Sequence, residues 1–341
     1  MKRIGTPQRT ARHSQLLHAG TRALALCAIT SASPWTTAPS AQAGAIQMDR
    51  FDANVTQNSY NFGYDVSIDG TTVLAGARGD SLNGTNAGAA YLFDVTTGQQ
   101  GFVLRPDDGQ TGDLFGSSVG IDGGFAVIGA NGNDTNGDSA GAAYLFDVTT
   151  GQQRFRLAPD VPVAGAQLGE DVDIDGATAI VGARTERIGA DFGFNAGAAY
   201  LFDVATGAQR HRLVPDDLAG GDQFGESVAL DADSATAIVG ATRANDAKGA
   251  AYLFDLNTGQ QLRQLTADDG AASDDFGSSV AIDGSLAVVT ATSHGNGGAA
   301  YVFDITTGDQ VAKFTASDAR DGDFLGNSVA LSGRIAVVGA H

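Results

Sequence analysis

From residue 61 onward the chain alternates short apolar runs with Gly-, Asp- and Asn-rich punctuation at a nearly fixed period. Each period opens on one marker: "NFGYDVSIDG" (61), "LFGSSVGIDG" (114), "QLGEDVDIDG" (167), "QFGESVALDA" (223), "DFGSSVAIDG" (275) and "FLGNSVALSG" (324). The Gly of this marker advances by 53, 53, 56, 52 and 49 residues. An apolar run follows, "TVLAGA", "FAVIGA", "TAIVGA", "TAIVGA" or "LAVVTA". A polar stretch then leads to "GAAYLFDVTTGQQ", which stands at 88 and unchanged at 141, with close variants at 197, 249 and 298. Chemistry done once does not need five copies, whereas a structural unit unable to bury its own apolar faces does.

One period reads as four short strands. Strand A is of the "SVAI" type and turns through Asp-Gly (Asp69-Gly70, for example), where Gly accepts positive φ without a steric cost. Strand B is "TVLAG", strand C is "AAYLFDV", and a Thr-Gly turn leads to strand D, "QGFVLR". Strands B and C are apolar at nearly every position, so both faces are expected to be buried, with Tyr91 and Phe93 on one face and Leu92 on the other. Helical periodicity is absent. The fold class expected is all-β, a β-propeller of four-stranded antiparallel blades spanning 62–114, 115–167, 168–223, 224–275 and 276–323, with a partial blade at 324–341. A β-solenoid or stacked sandwich is the structural alternative.

The combination FG-x-S-V, V-V-G-A and G-A-A-Y-L-F at this period resembles the FG-GAP repeat, the unit of the integrin α-subunit propeller. The resemblance covers residues 62 to 341 and implies a propeller. It implies less about activity, because the repeat serves adhesion modules, lipase accessory domains and many exported proteins. Calcium-binding members carry D-x-D-x-D-G-like loops between strands A and B. Here that connection is a tight Asp-Gly turn in blades 1, 2, 3 and 5, and only "LDADSATA" of blade 4 (Asp231, Asp233) is longer. The family's usual metal site is therefore not carried over. "FDVTTGQQRFRL" is also similar to the D-x-x-T-G strand of quinone-dependent dehydrogenase propellers, but those repeats continue to a blade-locking Trp. The only Trp here, Trp35, precedes the repeats.

Composition places the molecule. Residues 1–43 hold five basic residues and no acid, an apolar stretch "ALALCAITSA" (23–32) and "AQA" (41–43), the layout of an export signal peptide too short to span a bilayer. A disordered basic leader is the plainer alternative. Of the 20 basic and 39 acidic residues, 15 and 39 then remain, a net charge of −24. A secreted, periplasmic or cell-surface location is expected, with no transmembrane segment. Such an acidic body repels phosphate backbones, which argues against nucleic acid as a partner. The only Cys, Cys27, lies in the leader, so disulfides and thiol chemistry are not expected.

Function is expected on the end of the disc that carries the variable B–C loops and D–A crossings, since the A–B and C–D turns are short and near-identical. Its carboxylates recur: Asp107, Asp108 and Asp113, then Asp216, Asp217 and Asp222, then Asp268, Asp269 and Asp274. Blade 2 adds Asp134, Asn136 and Asp138 at alternating spacing. Clustered carboxylates are costly to keep ionised, and a hard cation such as Ca2+ would relieve them. A solvated acidic face with turn-forming Asp is the plain alternative, and the spacing matches no complete ligand set. Arg78-Gly79-Asp80 spells the tripeptide integrins recognise, in a loop expected to be exposed, but it does not recur. Asn54, Asn83 and Asn133 head glycosylation sequons. His211 reads as an exposed strand residue, and His294 as a loop residue with no paired acid nearby in its own blade. No nucleophile elbow, P-loop or zinc spacing appears, so no catalytic residue and no enzyme is expected.

The final copy stops after strand B, and residues 45–53, "AIQMDRFDA", resemble a strand D that could close the ring. A fragment of a six- or seven-bladed ring is the expectation. The leading functional reading is an exported, non-enzymatic module binding an extracellular protein, glycan or matrix partner through the acidic loop face. An accessory domain of a larger extracellular hydrolase and a purely structural surface component are the alternatives.

Overall fold

The computed structural model describes residues 60–187 and 195–340, together with two short strands at His13–Ser14 and Ala25–Ala28. The rest of the expected leader, the expected closing strand at 45–53 and the Asn54 sequon lie outside the described residues.

Five antiparallel sheets follow one another along the chain, each with its strands in the order A-B-C-D. In blade 2 these are Phe125–Ala130 (B) between Val119–Asp122 (A) and Ala142–Asp147 (C), with Gln152–Leu157 (D) outermost. A sixth sheet pairs Ser328–Ser332 with Ile335–Gly339, and Ala25–Ala28 of the leader lies antiparallel to the latter. A channel with about 30 Å3 of free volume runs between the A strands of all six sheets. Ile68, Ile121, Ile174, Leu230, Ile282 and Leu331 line it, one from each blade. That volume has room for about two waters. The sheets therefore stand around one axis as blades of a β-propeller, five of them four-stranded and the sixth carrying strands A and B of the repeat.

The cores lie between blades, not within them. Leu201 and Leu213 of blade 3 pack with Phe224, Tyr252 and Phe254 of blade 4 in one cluster. The same arrangement joins Leu145 to Tyr200 and Phe202, and Leu253 to Tyr301 and Phe303. Strand C presents its Leu to the following blade and its Tyr and Phe to the preceding one, so a lone blade would leave both faces wet. Each large apolar side chain so buried contributes roughly 1.5–3 kcal/mol. Within a blade the Phe of the opening marker stands edge-on to both aromatics of strand C, with Phe224 5.7 Å from each of Tyr252 and Phe254. In blade 3 Leu168 takes that place, and Tyr200 and Phe202 tilt toward each other at 6.4 Å.

Glycine pins adjacent blades backbone to backbone. The Gly that opens "GAAYLF" forms a parallel bridge to the first marker of the next blade, as Gly141 does to Leu168 and Gly197 to Phe224. A Cβ on Gly197 would sit 1.9 Å from the Phe224 carbonyl oxygen, so only glycine fits. The Gly of strand B makes a second close approach in four blades (Gly76, Gly129, Gly182 and Gly240). In blade 5 the fully buried Thr290 replaces it and donates from Oγ1 to the Gly326 carbonyl at 2.7 Å, a hydrogen bond in place of bare contact.

Side chains complete the stitching. The turn Asp of one blade accepts from the turn backbone of the next: Gly123 N–H to Asp69, Gly176 to Asp122, Ala232 to Asp175 and Gly333 to Asp283, at 2.7–3.0 Å. Asp231, in the longer turn of blade 4, accepts from Ser234 of its own turn. The Gln at the start of strand D accepts the N–H of the preceding crossing, as Gln153 does from Asp107 and Gln261 from Asp216. The Asp that ends strand C caps its own turn, Asp94 accepting from Thr96 and Thr97, and these bonds hold its carboxyl below the usual range. A bulge in strand D, between Leu201/Phe202 and His211/Gln209 in blade 3, leaves one residue unpaired and turned outward. Leu262 and Val311 occupy that bulge in blades 4 and 5, which is why they are exposed.

Candidate functional site

The Tyr of strand C ends under the B–C loops and D–A crossings, where four of the five hydroxyls donate to a carboxylate and the fifth reaches one through a glutamine. Tyr91 donates to Asp80 at 2.6 Å, Tyr144 to Asp108 at 2.9 Å, Tyr200 to Glu186 at 2.7 Å and Tyr301 to Asp269 at 3.1 Å. Tyr252 accepts from Gln264 Nε2 at 3.0 Å, and the same amide donates to Asp217 at 3.0 Å. Burial first, with the adjacent carboxylate adding to it, pushes the Tyr144, Tyr200, Tyr252 and Tyr301 phenols up. A polar side chain near the end of strand D closes each cluster: Arg105 on Asp80, Arg156 on Asp108, Arg212 on Glu186, Gln264 on Asp217 and Lys313 on Asp269.

The acid comes from one of two places, and they compensate. In blades 2, 4 and 5 the crossing supplies it, and the B–C loop offers Asn133, Asn245 or His294 instead. The crossing into blade 3 reads "APDVPVAGAQLG", with Val161 where Asp108 stands in the first crossing and Ala166 where Asp113 stands. There the B–C loop supplies Glu186, buried, with Arg212 Nη2 at 2.6 Å. Blade 1 likewise uses its B–C loop, through Asp80. Burial works against ionising Asp80, but Tyr91, the Leu82 amide and Arg105 outweigh it and hold the carboxyl low.

The carboxylates expected to gather around a cation are thus separated by task. Asp108, Asp217 and Asp269 serve tyrosines. Asp113, Asp222 and Asp274 are buried and cap their own crossings, accepting from Gln110, Ala219 and Ala271 at 2.7–2.8 Å. Burial pushes Asp113 and Asp222 up from the ordinary carboxylate value. Asp107, Asp216 and Asp268 are exposed and engage the next blade through their backbone N–H. In blade 2, Asp134 accepts from Ser139 N–H at 2.7 Å, Asp138 is exposed, and Asn136 is half-buried in the same loop. Among the described residues no three His, Cys, Asp or Glu side chains converge on a point that could hold a metal ion.

Three sequence expectations change. Asp80 is only 3% exposed and bound on both oxygens, so Arg78-Gly79-Asp80 is not a displayed tripeptide. Its Arg78 lies over the Tyr64 ring at 3.5 Å. Asn133 is 1% exposed and held by Asp113, Tyr144 and Arg156, so its sequon is closed, whereas Asn83 stands on an exposed loop. His294 does have a paired acid: Nδ1 meets Asp274 at 2.8 Å and Nε2 meets Lys313 Nζ at 2.7 Å. Asp274 belongs to the preceding crossing, 20 residues upstream, which is why reading blade 5 alone missed it. His211 lies half-buried over the next Thr-Gly turn, with Nε2 3.0 Å from the Asn257 carbonyl.

A propeller with interlocking FG and GA glycines and a single inventory of blade contacts repeated around the axis defines a repeat-propeller class. The chain belongs to the FG-GAP repeat family, whose pattern matches residues 47–93, 100–146, 152–202, 208–254, 260–303 and 309–341. The matches at 100–146, 152–202, 208–254 and 260–303 each run from strand D of one blade to strand C of the next, so the family unit is centred on the blade-to-blade joint. Comparison with curated proteins returned no match. No helix among the described residues is long and apolar enough to cross a membrane.

Proposed function

We propose that the chain is an exported, non-enzymatic interaction module that binds an extracellular protein, glycan or matrix partner through its B–C and D–A loop face. One observation carries this reading. The basic side chains Arg105, Arg156, Arg184, Arg212 and Lys313 on that face turn toward acids, while Asp107, Asp134, Asp138, Asp216 and Asp268 stand exposed on it. A rigid disc presenting uncompensated carboxylates on varied loops suits recognition, and its long-range field favours cationic patches on the partner. Export rests on the leader pattern. The non-enzymatic reading is supported by the tyrosine–carboxylate clusters, whose hydroxyls donate to the acids beside them.

The test is binding of the leader-free protein to the producing cell's surface and matrix fractions, beside a variant carrying Asn at Asp107, Asp134, Asp138, Asp216 and Asp268. Binding should fall in the variant and weaken with added salt; a parallel run with a chelator reads any Ca2+ contribution. Equal binding by both proteins at all salt concentrations would remove the loop face from the argument.

A further inference from the structure

The chain holds four Asn-Gly steps, Asn83-Gly84, Asn131-Gly132, Asn136-Gly137 and Asn296-Gly297, and all four stand in B–C loops. Glycine lacks a Cβ, so in such a step little shields the asparagine side-chain carbonyl from the next backbone nitrogen. That nitrogen gives up its proton to hydroxide and bonds to Cγ. The Cγ–Nδ2 bond breaks, ammonia leaves with a proton taken from water, and a five-membered succinimide remains. Water then opens either ring carbonyl. One opening leaves aspartate; the other leaves isoaspartate, whose main chain runs through the former side-chain carbonyl. The net change is amide plus water to carboxylate plus ammonium, and no other reactant is needed.

The fold sorts the four steps into two pairs. Asn83 and Asn296 are exposed. The Gly84 N–H reaches only the Ser81 carbonyl, at a long 3.4 Å, and the Gly297 N–H donates to nothing among the described residues. Asn131 and Asn136 are half-buried. The Gly132 N–H is held by the Asp113 carbonyl at 3.2 Å, and the Gly137 N–H by the Asp134 carbonyl at 3.0 Å. Asn131 is tethered at its leaving group as well, its Nδ2 donating to Glu170 Oε2 at 2.8 Å. The attacking nitrogen must first be free, so each hydrogen bond that has to break slows the reaction about fivefold. We propose that Asn83 and Asn296 are sites of spontaneous deamidation in the folded protein, while Asn131 and Asn136, with the same two-residue motif, are protected by their loops. Each conversion puts a new carboxylate on the loop face. The isoaspartate product also lengthens the main chain by a methylene group. At Asn296 this falls beside Gly297, whose carbonyl accepts the Leu325 N–H at 2.7 Å, so the modification acts on the joint between blades 5 and 6.

The test holds the leader-free protein at mildly alkaline pH, one portion folded and one in urea. Samples taken over time are digested and mapped by mass spectrometry, with the aspartyl and isoaspartyl forms separated by chromatography. In the folded protein, conversion at Asn83 and Asn296 should outrun that at Asn131 and Asn136 by about fivefold or more. In urea the four steps should react at similar rates, because the motif is the same and the loops are gone. A double variant, Asn83→Gln with Asn296→Gln, should accumulate acidic forms more slowly than the parent on ion exchange. The mapping needs no variant, since all four steps are read in one molecule. Equal rates at the four steps in the folded protein, no conversion at Asn83 and Asn296, or the same ordering in urea would overturn the proposal.

Discussion

The blade-to-blade glycine contact can be weighed by comparing two substitutions that share one backbone conformation. Gly141 has φ +77° and Gly165 has φ +76°. Replacing either with Ala forces an L-residue into the left-handed region, at about 1–2 kcal/mol. Beyond that they differ. A Cβ at Gly165 meets nothing within 4 Å, whereas one at Gly141 falls 2.2 Å from the Leu168 carbonyl oxygen and 2.3 Å from its nitrogen. Both contacts are backbone, so relief requires blades 2 and 3 to separate. That strains the Leu168 N–H to Ala140 carbonyl bond, 3.0 Å long and worth about 1 kcal/mol, and opens the Leu145–Tyr200–Phe202 cluster. Overpacking of this kind costs about 1–3 kcal/mol. Gly141→Ala should therefore lose about 4 kcal/mol, and Gly165→Ala about 1–2 kcal/mol. The difference of about 2 kcal/mol is a factor of roughly 30 in the folded-to-unfolded ratio. Urea unfolding followed by far-ultraviolet circular dichroism and tyrosine fluorescence reads it directly. Equal losses for the two variants would refute the idea that close backbone docking, and not merely positive φ, makes this glycine obligatory.

Other substitutions probe the remaining contacts. Glu186→Ala strands Tyr200 and Arg212 and should cost about 3 kcal/mol in the same assay, and Val161→Asp in that background should recover part of the loss by supplying the acid from the crossing. Gln261→Ala removes the acceptor for the Asp216 N–H and should cost about 1 kcal/mol, with no change in partner binding. Asp80→Asn should lower the unfolding midpoint, while adhesion of integrin-bearing cells stays at background for both proteins, because that carboxyl is already bound by Tyr91 and Arg105.

The sequence by itself determined the four-strand unit, its period and the propeller, because those depend on local pattern. Unbroken apolar runs in strands B and C require burial on both faces, and Asp-Gly and Thr-Gly mark the turns whichever neighbours surround them. The B–C loops and D–A crossings also meet at one end of the sheets, as Asn133 and Asp108 do at Tyr144. What each acid does was not legible. Asp108 and Asp113 are five residues apart in one crossing, yet the first serves a tyrosine of the next blade and the second caps its own loop. Glu186 gave no repeat signal at all, since it stands in for an acid missing from Val161, 25 residues upstream. His294 found Asp274, and Ser118 found Asp171, only when successive blades came together around the axis. Hydrogen bonds and ion pairs act over about 3–4 Å in space, and a ring of blades brings residues some fifty positions apart within that reach. Local pattern therefore fixes the strands, while partner choice among the carboxylates belongs to the tertiary structure.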